Sequence, residues 1–328
     1  MWQCRSRILT LIALALLLPA NRAAAWNYTG HQVVAEVAWR SLRPAARDRV
    51  IAILKGHPQY ATYLAPPQDS PEGQGDLGLR TFLRGAIWPD LIRTGRGKDR
   101  EFHHPEWHYV DFPILADGID RDSLELPPTG DKIEEGKPAQ NILQALAWSV
   151  DRLRDADTPA AQRGVALAWL VHLVGDVHQP LHCCAMFSPA YPKGDRGGNL
   201  FMVKYHGNVI NLHAFWDELL GGYIAPRLVD AVADKVLEAH PRDSLAKELA
   251  STKFTDWSAE SFAIARDVCY AGGKLKGLTR EANAADKGAT TPELPEGYDK
   301  TARDIARTRA ALAGYRLADL LNAALDPQ

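Results

Sequence analysis

Cysteine is scarce, four in 328 residues, and none of it forms a spaced Cys-x-x-Cys pair, which argues against a thiolate metal site. Charge of one sign is not in excess: 38 basic residues face 40 acidic ones, so the broad basic footprint of a protein that holds nucleic acid by side-chain charge alone is absent. Beyond the N-terminus no stretch is long and apolar enough to span a bilayer. Convincing strands are few, and there is neither an internal repeat nor a composition shift that would mark a second domain.

The N-terminus carries its own signal. Arg5 and Arg7 precede an apolar run from Ile8 to Pro19, followed by Ala23, Ala24 and Ala25, the layout of a secretory signal peptide over residues 1–25. Cleavage after Ala25 leaves Trp26 as the first residue of an exported chain, secreted or periplasmic, expected to be a soluble monomer with no stable protein partner. Losing Arg5, Arg7 and Arg22 leaves 35 basic against 40 acidic residues, a net charge near −5. Cys4 leaves with the signal. Of Cys183, Cys184 and Cys269, an oxidising compartment leaves one thiol over, and Cys269 is expected to pair with Cys183 or Cys184.

Helical periodicity dominates the rest, so the expected class is all-α. Val33, Val34, Val37, Ala38 and Leu42 share one stripe; Ile142, Leu143, Leu146 and Val150 share another; IARTRAALAGYRLADLLNAAL repeats the pattern near the C-terminus. One short β-hairpin is expected from NLFMVKY and VINLH, joined by His206-Gly207-Asn208. Residues 26–328 are expected to form a single catalytic domain. Three stretches rich in Gly, Pro or charge read as loops: 65–76, 94–105 and 271–297.

The informative residues are histidines and aspartates. His172 and Asp176 stand four apart on an apolar run, so on a helix they point from one face, and His213 and Asp217 repeat the spacing. His182 follows closely. Imidazole and carboxylate are the usual ligands of a hydrolytic zinc that keeps a position open for water. At the mature N-terminus, the new α-amino group and carbonyl of Trp26 can chelate a metal through a five-membered ring, with His31 completing it. Trp88-Pro89-Asp90 supplies an acid beside a rigid turn, and Trp107-His108-Tyr109-Val110-Asp111 supplies an imidazole.

With these segments in this order, from WNYTGH through WPD, WHYVD, VHLVGDVHQPLH, GGN and NLHAFWD to GYRLADLLN, the chain resembles the S1/P1 family of zinc-dependent nucleases across most of its mature length. The resemblance implies a helical fold like that of phospholipase C and P1 nuclease. It implies three Zn2+: one held by Asp90, His108, His172 and Asp176; one by Trp26, His31 and Asp176; one by His182, His213 and Asp217. It further implies hydrolysis of single-stranded DNA and RNA to 5′-phosphorylated products by a hydroxide shared between two zincs, with action on 3′-nucleotides as well. Three divalent ions would supply the positive field that the side chains lack.

The same resemblance gives Arg93 a role in stabilising the transition state, and makes Tyr109 and Asp111 a nucleobase pocket, an aromatic to stack on and a carboxylate to accept amino hydrogens. Read bottom-up, Arg93 is equally a solvated loop residue, and Tyr109 and Asp111 a core tyrosine and a capping acid. His57, His103, His104, His178, His206 and His240 read as surface or supporting groups. Asn27-Tyr28-Thr29 is a glycosylation sequon in form, expected to stay unmodified because it lies in the proposed metal site. A zinc-dependent phospholipase C is the nearest rival, and a secreted zinc-binding protein without catalysis a more distant one.

Overall fold

The computed structural model describes residues 26–67, 75–222 and 228–326, so the expected signal peptide over 1–25 and much of the loop at 65–76 lie outside the described residues. The helices, in order, are α1 (Tyr28–Ser41), α2 (Pro44–Lys55), α3 (Leu77–Leu91), α4 (Ile142–Arg154), α5 (Ala160–His178), α6 (Leu212–Asp217), α7 (Val229–Ala239), α8 (Ala246–Leu249), α9 (Phe254–Ile264), α10 (Arg280–Ala285) and α11 (Tyr298–Leu325). The fold is helical, with a few short strands.

Local chemistry sets the helix starts. Asn27, Asp76, Asn141, Asn211 and Thr279 each accept a hydrogen bond from the backbone N–H three residues on, capping α1, α3, α4, α6 and α10. At the other end of α5, Pro180 holds Gln179 in the extended region and the helix stops at His178.

Helix α5 is the axis of the molecule. It is buried on every side from Gly164 to His178 and packs on α2, α3, α4, α9 and α11, as a helix apolar all round must. Apolar side chains from Trp26 to Leu325 form one contiguous core around it. Helix α1 lies against α11 at very close range: a Cβ on Gly314 would stand 2.4 Å from Val37 Cγ1. That approach seats the start of α1, and with it His31, against α5.

The hairpin forms as β3 (Phe201–Tyr205) and β4 (Asn208–Asn211), antiparallel, with His206 and Gly207 both at positive φ in the turn, the handedness that two-residue hairpins need. Two pairings go beyond the sequence expectation. Strand β1 (Pro113–Leu115) runs parallel to β2 (Ala185–Phe187), and the short β5 (Leu278–Thr279), inside the stretch expected as loop, adds to β3.

Two expectations are corrected. No bridge joins Cys269 to Cys183 or Cys184: all three are buried free thiols. Cys183 Sγ turns instead to the carbonyl of Val177 at 3.5 Å, and burial pushes its thiol up to about 12, which leaves almost no thiolate to oxidise. Of the histidines expected to be surface or supporting groups, His57 and His178 are not on the surface, at 3% and 0% exposure.

Candidate metal centre

Four segments converge on the middle of the molecule. The last two turns of α5 carry His172 and Asp176; the end of α3 carries Asp90; a short turn over Pro105–His108 ends in His108; and the turn over Pro180–Cys183 carries His182. Helix α6 adds His213 and Asp217. The described residues gather into three buried groups able to hold a metal ion: His31, His172 and Asp176; Asp90, His108 and His172; and His182, His213 and Asp217. His172 thus belongs to two of them, a sharing the sequence did not show.

Backbone carbonyls fix the tautomers. Nδ1–H of His172 donates to the Ala86 carbonyl at 2.8 Å, that of His182 to the His108 carbonyl at 2.6 Å, and that of His213 to the Gly197 carbonyl at 2.6 Å. A carbonyl can only accept, so each Nδ1 bears a proton; His182 and His213, held below their usual range by burial, present Nε2 as a lone pair, while Asp176 and Asp90 raise His172 against its burial, so that its Nε2 becomes a lone pair on losing a proton. Pro89, in the last turn of α3, has no N–H to offer the Gly85 carbonyl, the neighbour of Ala86. Gly197, at φ +57°, lies where a Cβ would be 2.2 Å from the Leu181 carbonyl, so only glycine brings this acceptor to His213.

The result is a cluster of ring nitrogens and carboxylate oxygens that face one another. Nε2 of His213 and Nε2 of His182 face each other at 3.0 Å, an approach that two neutral acceptors resist. His31 Nε2 and Asp176 Oδ1 meet at 3.2 Å, and neither makes a hydrogen bond. Asp176 Oδ2 lies 3.0 Å from His108 Nδ1 and 3.2 Å from His172 Nε2. Its two oxygens therefore serve different groups. Ligands about 2.0–2.1 Å from one tetrahedral ion stand about 3.3–3.4 Å apart, close to these separations. Buried acceptors without donors are costly, and a cation among them removes the cost. The donor set fits zinc.

The electrostatics follow from burial. It pushes His108 and His213 down to about 3, so both imidazoles are neutral and ready to ligate at ordinary pH. Burial opposes ionisation of Asp90 and Asp176, but Arg93 and His172 beside Asp90, and His172, His182 and a hydrogen bond from His108 at Asp176, outweigh it and hold both carboxyls below their usual range. Asp217 is pushed well up by burial despite a hydrogen bond from Gln179, an environment that asks for a cation.

Trp26 is fully buried, with its indole N–H donating to the Gly175 carbonyl at 3.1 Å, and the next residue's N–H donates to the Asp217 carbonyl at 3.3 Å. The N-terminal segment is thereby laid across the groups. Asn27 is 3% exposed, and its amide donates to the Gly221 carbonyl, which leaves no room for a glycan. Arg93, half-buried, places Nε 3.0 Å from Asp90 Oδ1. Its charge also reaches His108, His182, His213 and Asp217, members of two of the three groups.

Tyr109 is 38% exposed. Asp111 is pushed up to about 7 by burial and by the nearby Asp195, whose own carboxyl accepts from the Tyr270 hydroxyl at 2.6 Å. Sequence reading missed Gln179, Gly175 and Gly197. Gly175 is the plainest case, since a Cβ there would meet His31 Nδ1 at 2.8 Å. A glycine directly before a candidate ligand, in an otherwise apolar helix, was the available signal.

The chain matches the family described as S1/P1 Nuclease over residues 26–326. It is 26% identical to Nuclease S1 of Aspergillus oryzae over 96% of this chain and 97% of that protein. It is 25% identical to Nuclease P1 of Penicillium citrinum, covering 90% and 97% of the two chains, and 26% identical to Endonuclease 4 of Arabidopsis thaliana, covering 98% and 94%. Similarity spread over whole chains, on a helical fold with a His/Asp centre, leads to one conclusion: this chain belongs to the S1/P1 nuclease family and is a nuclease.

Proposed function

We propose that this protein is an exported, three-zinc phosphodiesterase that cuts single-stranded DNA and RNA to 5′-phosphorylated products and removes phosphate from 3′-nucleotides. The observation that carries this reading is the inward convergence of carbonyl-fixed histidine Nε2 atoms on unpaired carboxylate oxygens. In this reading residues 1–25 are the removed signal peptide and 26–328 one catalytic domain; the family match beginning at residue 26 supports that division.

Asp90, His108, His172 and Asp176 hold one zinc, Trp26, His31 and Asp176 a second, and His182, His213 and Asp217 a third. Bound there, the ions acidify water and neutralise charge on the phosphate. The chain itself does the rest. Asp176 spaces the first two sites by offering Oδ1 to one and Oδ2 to the other. Arg93, steered by Asp90, brings its guanidinium charge to the non-bridging phosphate oxygens, where charge builds as the P–O3′ bond breaks. Water oxygen ends on phosphorus and a proton on the 3′-oxygen. Tyr109 stacks a base, and the Asp111 carboxyl bonds its polar edge. A paired base has no face to offer, which selects unpaired strands.

The test is release of acid-soluble nucleotides from single-stranded DNA and RNA by protein beginning at Trp26, before and after chelation and with zinc restored. Zinc-reversible release of 5′-phosphorylated products, and of phosphate from 3′-AMP, is expected. No release from zinc-loaded protein, with hydrolysis of phosphatidylcholine instead, would replace this reading by a phospholipase.

A further inference from the structure

Gln179 is fully buried where α5 ends, between the segments that carry the three groups. Four hydrogen bonds leave it in four directions. Its backbone N–H donates to the Asp176 carbonyl at 3.0 Å, and its carbonyl accepts from the His182 N–H at 3.0 Å. Its side-chain Oε1 accepts from the Leu181 N–H at 2.6 Å, and Nε2 donates to Asp217 Oδ1 at 2.7 Å. The Leu181 bond settles which end of the amide is oxygen, so the group facing Asp217 is a donor.

That donor occupies Oδ1. The other oxygen, Oδ2, is the one turned toward His213 Nε2, at 3.6 Å. An occupied oxygen and a free one make a carboxylate that can offer a metal a single atom in a fixed direction. Resting on the assignment of His182, His213 and Asp217 as a metal site, we infer that Gln179 is a positioning residue: it restricts Asp217 to one-oxygen coordination through Oδ2 and ties the third site to the helix that carries the other two. The backbone bonds to Asp176 and His182 make the tie rigid, because Pro180 fixes the chain direction immediately after it.

Gln179→Glu isolates the donor. It keeps the volume and the acceptor for the Leu181 N–H, and sets a carboxylate oxygen against Asp217 Oδ1 in place of N–H. Gln179→Met, close in volume and without either polar group, provides a second variant should the first not fold. The readout is zinc, counted per chain by atomic absorption during titration with a chelator, on full-length mature protein. Wild type is expected to hold three ions. In Gln179→Glu or Gln179→Met, one ion of the three is expected to leave at about 10- to 100-fold lower chelator strength while the other two hold as in wild type. A role confined to capping the turn would leave Gln179→Glu with wild-type zinc affinity at all three sites, and that result overturns the inference. Equal weakening of all three ions overturns it as well. Wild type holding only two ions would overturn the site assignment together with it.

Discussion

Asp176 is the residue on which most of the centre depends, since Oδ1 lies against His31 and Oδ2 against His108 and His172. Asp176→Asn replaces an anionic oxygen by an amide and should release both ions that share it, leaving one zinc per chain and no measurable turnover. Near-normal turnover with full zinc content would refute the shared role. On the proposed mechanism Arg93 acts on charge that develops during the reaction, so Arg93→Ala should lower kcat by about 10²- to 10³-fold with KM little changed. Steady-state kinetics on a short single strand would separate the two constants. The same proposal gives Tyr109 a part in binding instead, and Tyr109→Ala should raise KM by an amount worth about 1–3 kcal/mol per stacked base, with kcat held.

At the scale of elements, two glycines decide how closely helices approach the centre. A methyl group at Gly175 collides with His31 Nδ1, so Gly175→Ala should push α1 from α5 and weaken the zinc site proposed at His31, read as loss of one ion under chelator. At Gly314 the collision is with Val37, which belongs to none of the metal groups, and overpacking there should cost about 1–3 kcal/mol of stability with zinc content unchanged. A thermal melt beside a zinc count distinguishes the two.

The same elements explain what the sequence could reveal. Helices α1, α4 and α11 were legible because their stripes repeat locally, and the i, i+4 spacing of His172 with Asp176 and of His213 with Asp217 placed each pair on one face. The β1–β2 pairing was not legible, since it joins three-residue strands some 70 positions apart. Nor was the burial of His178. It lies off the metal-bearing face, yet α5 is buried all round, and Arg316 reaches its Nε2 at 2.8 Å from α11. Gln179 was passed over because glutamine has no metal chemistry of its own, and its partner Asp217 comes 38 residues later. The free thiols follow similarly: cysteine count and compartment alone pointed to a bridge, while the direction of Cys183 Sγ toward Val177 depends on packing.

For the molecule as a whole, burying histidines makes stability depend on acid. His57, packed edge-on against Trp88, is pushed down to about 4 by burial. The unfolded chain binds that proton from about pH 6.5 downward, and the folded chain only near pH 4. Stability from this group is therefore complete above about pH 6.5 and is lost as pH falls to about 4, on the order of 3 kcal/mol in all. Melting curves of the metal-free protein across that range should show the fall, and His57→Leu should flatten part of it whatever its cost at neutral pH. An unchanged slope would contradict the assignment.

In the proposed function bound metal supplies the positive charge that the chain lacks, and none of the described helices is long and apolar enough to cross a membrane. The account is tested most directly by diffraction from zinc-loaded mature protein, with anomalous differences collected at the zinc edge. Three peaks are predicted: one between His31 and Asp176, one among Asp90, His108 and His172, and one among His182, His213 and Asp217. Fewer than three, or a peak away from these residues, would contradict it.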